Sequence, residues 1–162
     1  SRQVIESLIE HYSLAKRRLA VVDLHTGLGP YGYGEVICDH PLGTDGLMTA
    51  IEWFGPGCGL PLTGTSSSVP KLGLLDYAWH QVMGPKSCFV TLEFGTMGTV
   101  ALFDTLLDEA SVWSGSECVS RHAKTMVAER MKAHFYPLDD HWREAVIFRA
   151  RQVLHQALVG VS

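Results

Sequence analysis

The sequence predicts an α/β fold in which a mixed, mostly parallel sheet is flanked by helices. Two short apolar runs, residues 19–24 and 87–94, have the composition of buried strands. Helical patterns precede, separate and follow them, and this alternation of strands and helices is characteristic of α/β proteins. The length of 162 residues is that of one domain, so we expect residues 1–162 to form a single domain.

Each element follows from a local pattern. Val4, Leu8 and Tyr12 belong to the apolar face of a first helix, because apolar residues recur there three and four positions apart. The first strand is expected to break at His25, where a glycine-rich loop begins, and a short strand follows at residues 36–38. Residues 55–70 read as a long surface loop. The predicted helices cover residues 2–17, 45–54, 72–83, 98–112, 117–133 and 140–159.

Composition and charge exclude several classes of protein. Thirteen basic and seventeen acidic residues are interspersed and give a net charge of −4, so we expect neither nucleic acid nor an anionic membrane as the main partner. No apolar stretch is long enough to span a bilayer. The cysteines are widely separated and are expected to be small buried hydrophobes, which fits a reducing, cytoplasmic compartment. They are Cys38, Cys58, Cys88 and Cys118.

Asp23 and His25 end the first apolar run and interrupt its pattern. Residues two apart in a strand point to the same side, so these two side chains are expected to share a face. A histidine there offers a ring nitrogen to a metal ion, and a nearby carboxylate fixes its tautomer. The alternative is a histidine that is simply hydrogen-bonded at a strand end.

Glu93 interrupts the second apolar run in the same way. A carboxylate late in so apolar a strand is costly unless it is paired or lies near a metal ion, and such a carboxylate is a candidate general base. Alternatively, Glu93 reaches solvent or a helix from the strand end. Open α/β sheets bind ligands at the carboxyl ends of their strands, so the two anomalies together favour a site there.

The segment DLHTGLGPYGYGE, followed further along the chain by FVTLEFGT, resembles the zinc carboxypeptidase superfamily. More narrowly, it is similar to the branch that includes aspartoacylase and succinylglutamate desuccinylase, and to an uncharacterised group of carboxypeptidase-like bacterial proteins within it. The resemblance implies that His25 is the third zinc ligand and that Glu93 is the catalytic glutamate. It also implies hydrolysis of an amide bond, in a peptide or an N-acyl amino acid, by a zinc-bound water that Glu93 activates. Asp23 would then orient His25.

The resemblance covers the second half of that family's domain. A His-x-x-Glu pair should precede His25, and residues 1–24 contain none; the residues that hold the substrate carboxylate are also expected upstream. The pair formed by His141 and Glu144 lies after Glu93 and is expected to be a solvated helix face. Catalytic zinc takes three protein ligands and a water. We therefore expect a partial carboxypeptidase-like domain, active when intact, whose isolated chain binds zinc poorly and is inactive.

Two further expectations concern substrate and partners. Tyr31 and Tyr33 follow His25 in the glycine-rich loop, where they either line a substrate mouth or are exposed turn aromatics. The alternative to an enzyme is a catalytically incompetent half-domain that associates with itself or with a partner chain, such as a missing N-terminal half, through exposed apolar surface.

Overall fold

The computed structural model describes residues 2–114 and 119–162 and confirms the α/β class, with a mixed, partly parallel sheet flanked by helices. The three strands in the described part of the chain are β1 (Ala20–Tyr31), β2 (Gly34–Ile37) and β3 (Cys88–Gly95). They form one sheet in the order β1-β3-β2. Glu93, the candidate catalytic residue, therefore lies on the central strand.

Six α-helices are present in the described residues, and each of them overlaps one of the six predicted helices. The first ends earlier than predicted, because Ser13 takes a left-handed conformation with φ of 52° and so cannot continue a helix. The third is also shorter than predicted, and residue 117 of the predicted fifth helix lies outside the described residues. The helices are α1 (Arg2–His11), α2 (Asp45–Phe54), α3 (Leu75–His80), α4 (Thr99–Trp113), α5 (Arg121–Phe135) and α6 (Asp140–Val161).

The first strand departs most from prediction. The expected break at His25 and the glycine-rich loop after it are wrong, because β1 continues to Tyr31. Gly27 and Gly29 have φ of 138° and 100°, values that glycine adopts without the steric cost of a side chain, so the strand passes through them. The expected burial is also wrong, because residues 20–23 are only half-buried and Leu24 is exposed.

The chain forms two compact units. The first contains Ser1–Leu24, Glu35–Leu92 and Ala150–Ser162, and the second contains His25–Gly34 and Glu93–Arg149. The prediction of a single domain stays a prediction.

The apolar core of the first unit is built on β2, β3 and α2. Cys38, Cys58 and Cys88 are free and buried, which confirms for these three the packing role expected of the cysteines, while Cys118 lies outside the described residues. Burial raises the pKa of both the Cys38 and Cys88 thiols to about 12, so these thiols stay protonated at neutral pH. The other buried hydrophobic side chains of this unit are Val36, Ile37, Leu47, Ala50, Phe54, Phe89, Val90, Leu92, Val153 and Ala157.

A buried carboxylate holds the long loop of the first unit. Glu35, on β2, accepts hydrogen bonds from both the backbone N–H and the hydroxyl of Ser67. Gly59 passes so close to the Glu35 carboxylate that a Cβ there would collide with it. The loop over residues 55–70 is therefore attached to the sheet by a charge-assisted contact that the sequence pattern does not reveal.

His40 is a buried, neutral histidine of the first unit. Its Nε2 accepts the backbone N–H of Phe89 at 3.0 Å, and its ring stacks on that of His80 with 3.8 Å between centroids. Burial, with a smaller contribution from His80, lowers the pKa of His40 to about 4. Gly46 at the start of α2 leaves room for the ring, because a Cβ there would collide with it.

This burial predicts a pH-dependent stability. The folded protein protonates His40 only near pH 4, whereas the unfolded chain does so near the ordinary value of 6.5. The free energy of unfolding should therefore fall as the pH is lowered from 6.5 to 4, by up to roughly 3 kcal/mol from this residue. Urea unfolding at several pH values should show a shallower fall in His40→Gln than in His122→Gln, a matched change at an exposed position. An equal pH dependence of the free energy of unfolding in the two variants would contradict the lowered pKa of His40.

Candidate functional site

The carboxylate of Glu93 is the centre of the second unit. Glu93 lies on β3 with 6% of its surface exposed, so the sequence prediction of a carboxylate in an apolar strand is correct. Its Oε1 accepts the backbone N–H of Leu28 at 3.0 Å. This hydrogen bond satisfies one oxygen of a carboxyl group that is largely removed from water.

The peptide unit between Gly27 and Leu28 is held at both ends. Its N–H donates to Glu93, and its carbonyl, that of Gly27, accepts the hydroxyl of Thr96 at 3.3 Å. Thr96 follows β3 directly and is 2% exposed. Glu93 and Thr96 lie three residues apart on one segment of the chain. Their side chains thus hold the two ends of the peptide unit between Gly27 and Leu28.

Gly27 is the position where this arrangement requires glycine. Its φ of 138° is one that side-chain-bearing residues rarely adopt. A Cβ at Gly27 would lie 2.9 Å from the ring of Phe135 on α5 and 3.9 Å from Glu93 Oε1. The backbone therefore approaches both the carboxylate and α5 closely, as an interior glycine of a strand often permits.

His134 extends the network from α5. It is 2% exposed, and its Nε2 lies 3.4 Å from the Thr96 hydroxyl, while its Nδ1 is buried without a hydrogen-bond partner. Burial lowers the pKa of His134, which keeps the ring neutral at neutral pH. The sequence pattern does not mark this histidine as a member of the site, because only the folded chain places it beside residue 96.

The end of β3 is fixed by further hydrogen bonds. The Gly95 carbonyl accepts the indole N–H of Trp142 at 2.9 Å and the backbone N–H of Gly32 at 3.0 Å. A Cβ at Gly95 would collide with the carbonyl of Pro30. The strand end that carries Glu93 is thus in close backbone contact with the end of β1.

His25 and Asp23, the candidate metal ligand and its orienting residue, both lie on β1 but fall in different units. His25 belongs to the second unit, as Glu93 does, and its side chain is exposed. Asp23 belongs to the first unit, where its negative charge adds to burial in raising the pKa of Asp76.

The sequence placed Tyr31 and Tyr33 in a glycine-rich loop, and this prediction is wrong. Tyr31 ends β1, and Tyr33 lies in the tight turn that connects it to β2, with its N–H donated to Pro30. Both side chains are about half exposed, and the Tyr31 hydroxyl donates to Asp139 Oδ2 at 2.7 Å. That hydrogen bond raises the pKa of Tyr31 and lowers that of Asp139.

The described residues do not form a complete zinc site. Catalytic zinc is held by three protein side chains, and no group of three or more His, Cys, Asp or Glu in residues 2–114 and 119–162 is placed to hold a metal ion. His141 and Glu144, the His-x-x-Glu pair of α6, are both exposed. The zinc site implied by the family resemblance therefore stays a prediction.

The fold and this site define an α/β protein with a buried, hydrogen-bonded carboxylate at the end of its central strand. The model of one protein family, described as "Protein of unknown function (DUF2817)", matches residues 1–149, and the chain belongs to this family. No curated protein and no solved structure matches the chain. No helix in the described residues is long and apolar enough to cross a membrane.

The crowding at Gly27 predicts the effect of adding one methyl group. Gly27→Ala should lower the free energy of unfolding by about 2–4 kcal/mol, because backbone strain and overlap with Phe135 act together. Gly43→Ala is the matched control, since Gly43 also has a positive φ (77°) but has open space around it. Urea denaturation should show a loss in Gly27→Ala at least about 1 kcal/mol larger than in the control. Equal losses would mean that the close approach to Phe135 does not exist in solution.

Proposed function

We propose that this chain provides the catalytic carboxylate of an amide hydrolase, and that Glu93 is that carboxylate. The observation that carries the proposal is a carboxyl group that is buried on the central strand and receives a backbone N–H from Leu28. A carboxylate that is fixed in this way at a strand end is suited to exchange protons with a bound substrate.

The role of Glu93 follows from proton balance. One carboxylate oxygen accepts a proton from the attacking water, and the same group then gives that proton to the leaving amine nitrogen as the C–N bond breaks. The Leu28 N–H, which donates to Oε1, holds the carboxylate in place for this transfer. No net charge is left on the protein after the cycle.

His25 is the side chain that we propose as one zinc ligand of the complete enzyme. It is exposed, it lies on the same unit as Glu93, and imidazole is a common zinc ligand. His25 is the only ligand that the proposal assigns, because no group of three or more His, Cys, Asp or Glu in the described residues is placed to hold a metal ion. We propose Asp23 as the residue that orients His25, and Tyr31 and Tyr33 as candidate contacts of a peptide or N-acyl amino acid substrate.

Replacement of Glu93 tests this proposal. In the natural gene product, Glu93→Gln should lower kcat for hydrolysis of N-acyl amino acids or short peptides by about 10²–10⁴-fold, because the amide cannot carry the proton but still accepts the Leu28 N–H. The matched control is Glu144→Gln, an exposed glutamate on α6, which should keep full activity. Equal activity in both variants, or an absence of hydrolysis in the wild-type protein for the whole substrate panel, would overturn the proposal.

A second candidate function is self-association or partner binding without catalysis. Exposed apolar side chains on α4 favour it, since Val100, Phe103 and Leu107 are 78%, 62% and 53% exposed, and such surface is often covered in an assembly. This candidate predicts a dimer or larger species in sizing chromatography that Phe103→Asp converts to a monomer. A wild-type protein that elutes as a monomer at all concentrations would argue against it.

A further inference from the structure

We propose that Thr96 is a positioning residue for Glu93, because its hydroxyl fixes the Gly27–Leu28 peptide unit so that the N–H of Leu28 faces the carboxylate. The catalytic consequence rests on the function proposed above for Glu93. The effect of Thr96 on the structure does not rest on that function, since it concerns only the orientation of the peptide unit between Gly27 and Leu28.

The geometry of a peptide unit makes this control direct. The carbonyl and the N–H of a planar trans peptide point in opposite directions, so a group that holds one of them also sets the other. Thr96 binds the carbonyl end at 3.3 Å, and Glu93 receives the N–H end at 3.0 Å. No cis peptide bond is present among the described residues, so this opposition applies to residues 27 and 28.

Glycine makes such control necessary. Gly27 has no Cβ and tolerates both signs of φ, so the peptide unit after it can rotate at low cost. In the rotated state, the carbonyl oxygen of Gly27 would point toward the Glu93 carboxylate, and two hydrogen-bond acceptors would face each other. The Thr96 hydroxyl stabilises the orientation in which Glu93 keeps its donor.

The donors and acceptors of the network can be assigned by counting protons. Thr96 has one hydroxyl proton, and the Gly27 carbonyl can only accept, so the proton belongs to that hydrogen bond. The contact at 3.4 Å between Thr96 Oγ1 and His134 Nε2 then requires the histidine to be the donor. The proton of neutral His134 is therefore on Nε2, and the unpartnered, buried Nδ1 is a bare acceptor.

The experiment follows the Leu28 amide by NMR in isotopically labelled protein. The variants are Thr96→Val, which replaces the hydroxyl by a methyl group of similar size, and Thr96→Ser, which keeps the hydroxyl. We expect Thr96→Val to speed hydrogen exchange of the Leu28 amide by about tenfold or more and to shift its resonance upfield, with the amide of Val90 in β3 as the internal control. In Thr96→Ser the Leu28 amide should behave as in the wild-type protein.

Two results would overturn the inference. One is a Leu28 amide that Thr96→Val leaves unchanged, and the other is equal loss of protection in Thr96→Val and Thr96→Ser, which would mean that Thr96 acts through its methyl group. If Thr96→Val does not fold, the wild-type protein still tests the inference. Its Thr96 hydroxyl proton should exchange slowly with water and therefore be visible by NMR. A hydroxyl proton in fast exchange with water would refute the hydrogen bond.

The proposed catalysis is tested separately with the same variants. Where hydrolysis is measured, Thr96→Val should lower kcat with little change in KM, and Thr96→Ser should restore it, because the substrate does not contact Thr96. An altered Leu28 amide in a protein without hydrolytic activity would disprove the function of Glu93 but leave the role of Thr96 intact. Conversely, an active enzyme with an unchanged Leu28 amide would disprove only the role of Thr96.

Discussion

The second unit depends on satisfying a carboxylate that is buried in an apolar strand. Removing a charge from water is costly, and the folded chain offsets this cost by placing a backbone N–H on Glu93 Oε1. We propose that Gly27, whose φ of 138° most residues avoid, and Thr96, which donates to the Gly27 carbonyl, together keep this N–H facing the carboxylate.

In the first unit, too, buried polar side chains are satisfied by hydrogen bonds. Glu35 is satisfied by Ser67, and His40 stays neutral and accepts the N–H of Phe89. In both cases a glycine allows the close approach, Gly59 at the carboxylate and Gly46 at the imidazole ring. These groups contact a long loop and the start of α2, and the lowered pKa of His40 makes the stability of the unit sensitive to acid.

The sequence of this protein predicts single residues that interrupt a local pattern better than it predicts contacts between residues far apart in the chain. Glu93 was identifiable because a charge within an apolar strand is visible in the pattern itself, and the α/β class followed from two apolar runs among amphipathic helices. Thr96 and His134 escaped notice because threonine after a strand and a lone histidine on a helix are ordinary, and only their contact across 38 residues gives them a role. The glycines after His25 predicted a loop, although positive φ angles at Gly27 and Gly29 let the strand continue.

The zinc content of the natural gene product, purified without chelator, tests the account of the site most directly. Elemental analysis should find close to one zinc per chain, and His25→Ala should lower it severalfold, whereas His141→Ala on the exposed face of α6 should not. A protein without zinc, or one whose zinc content is unaffected by His25→Ala, would contradict the assignment of His25 as a ligand and the metallohydrolase proposal built on it.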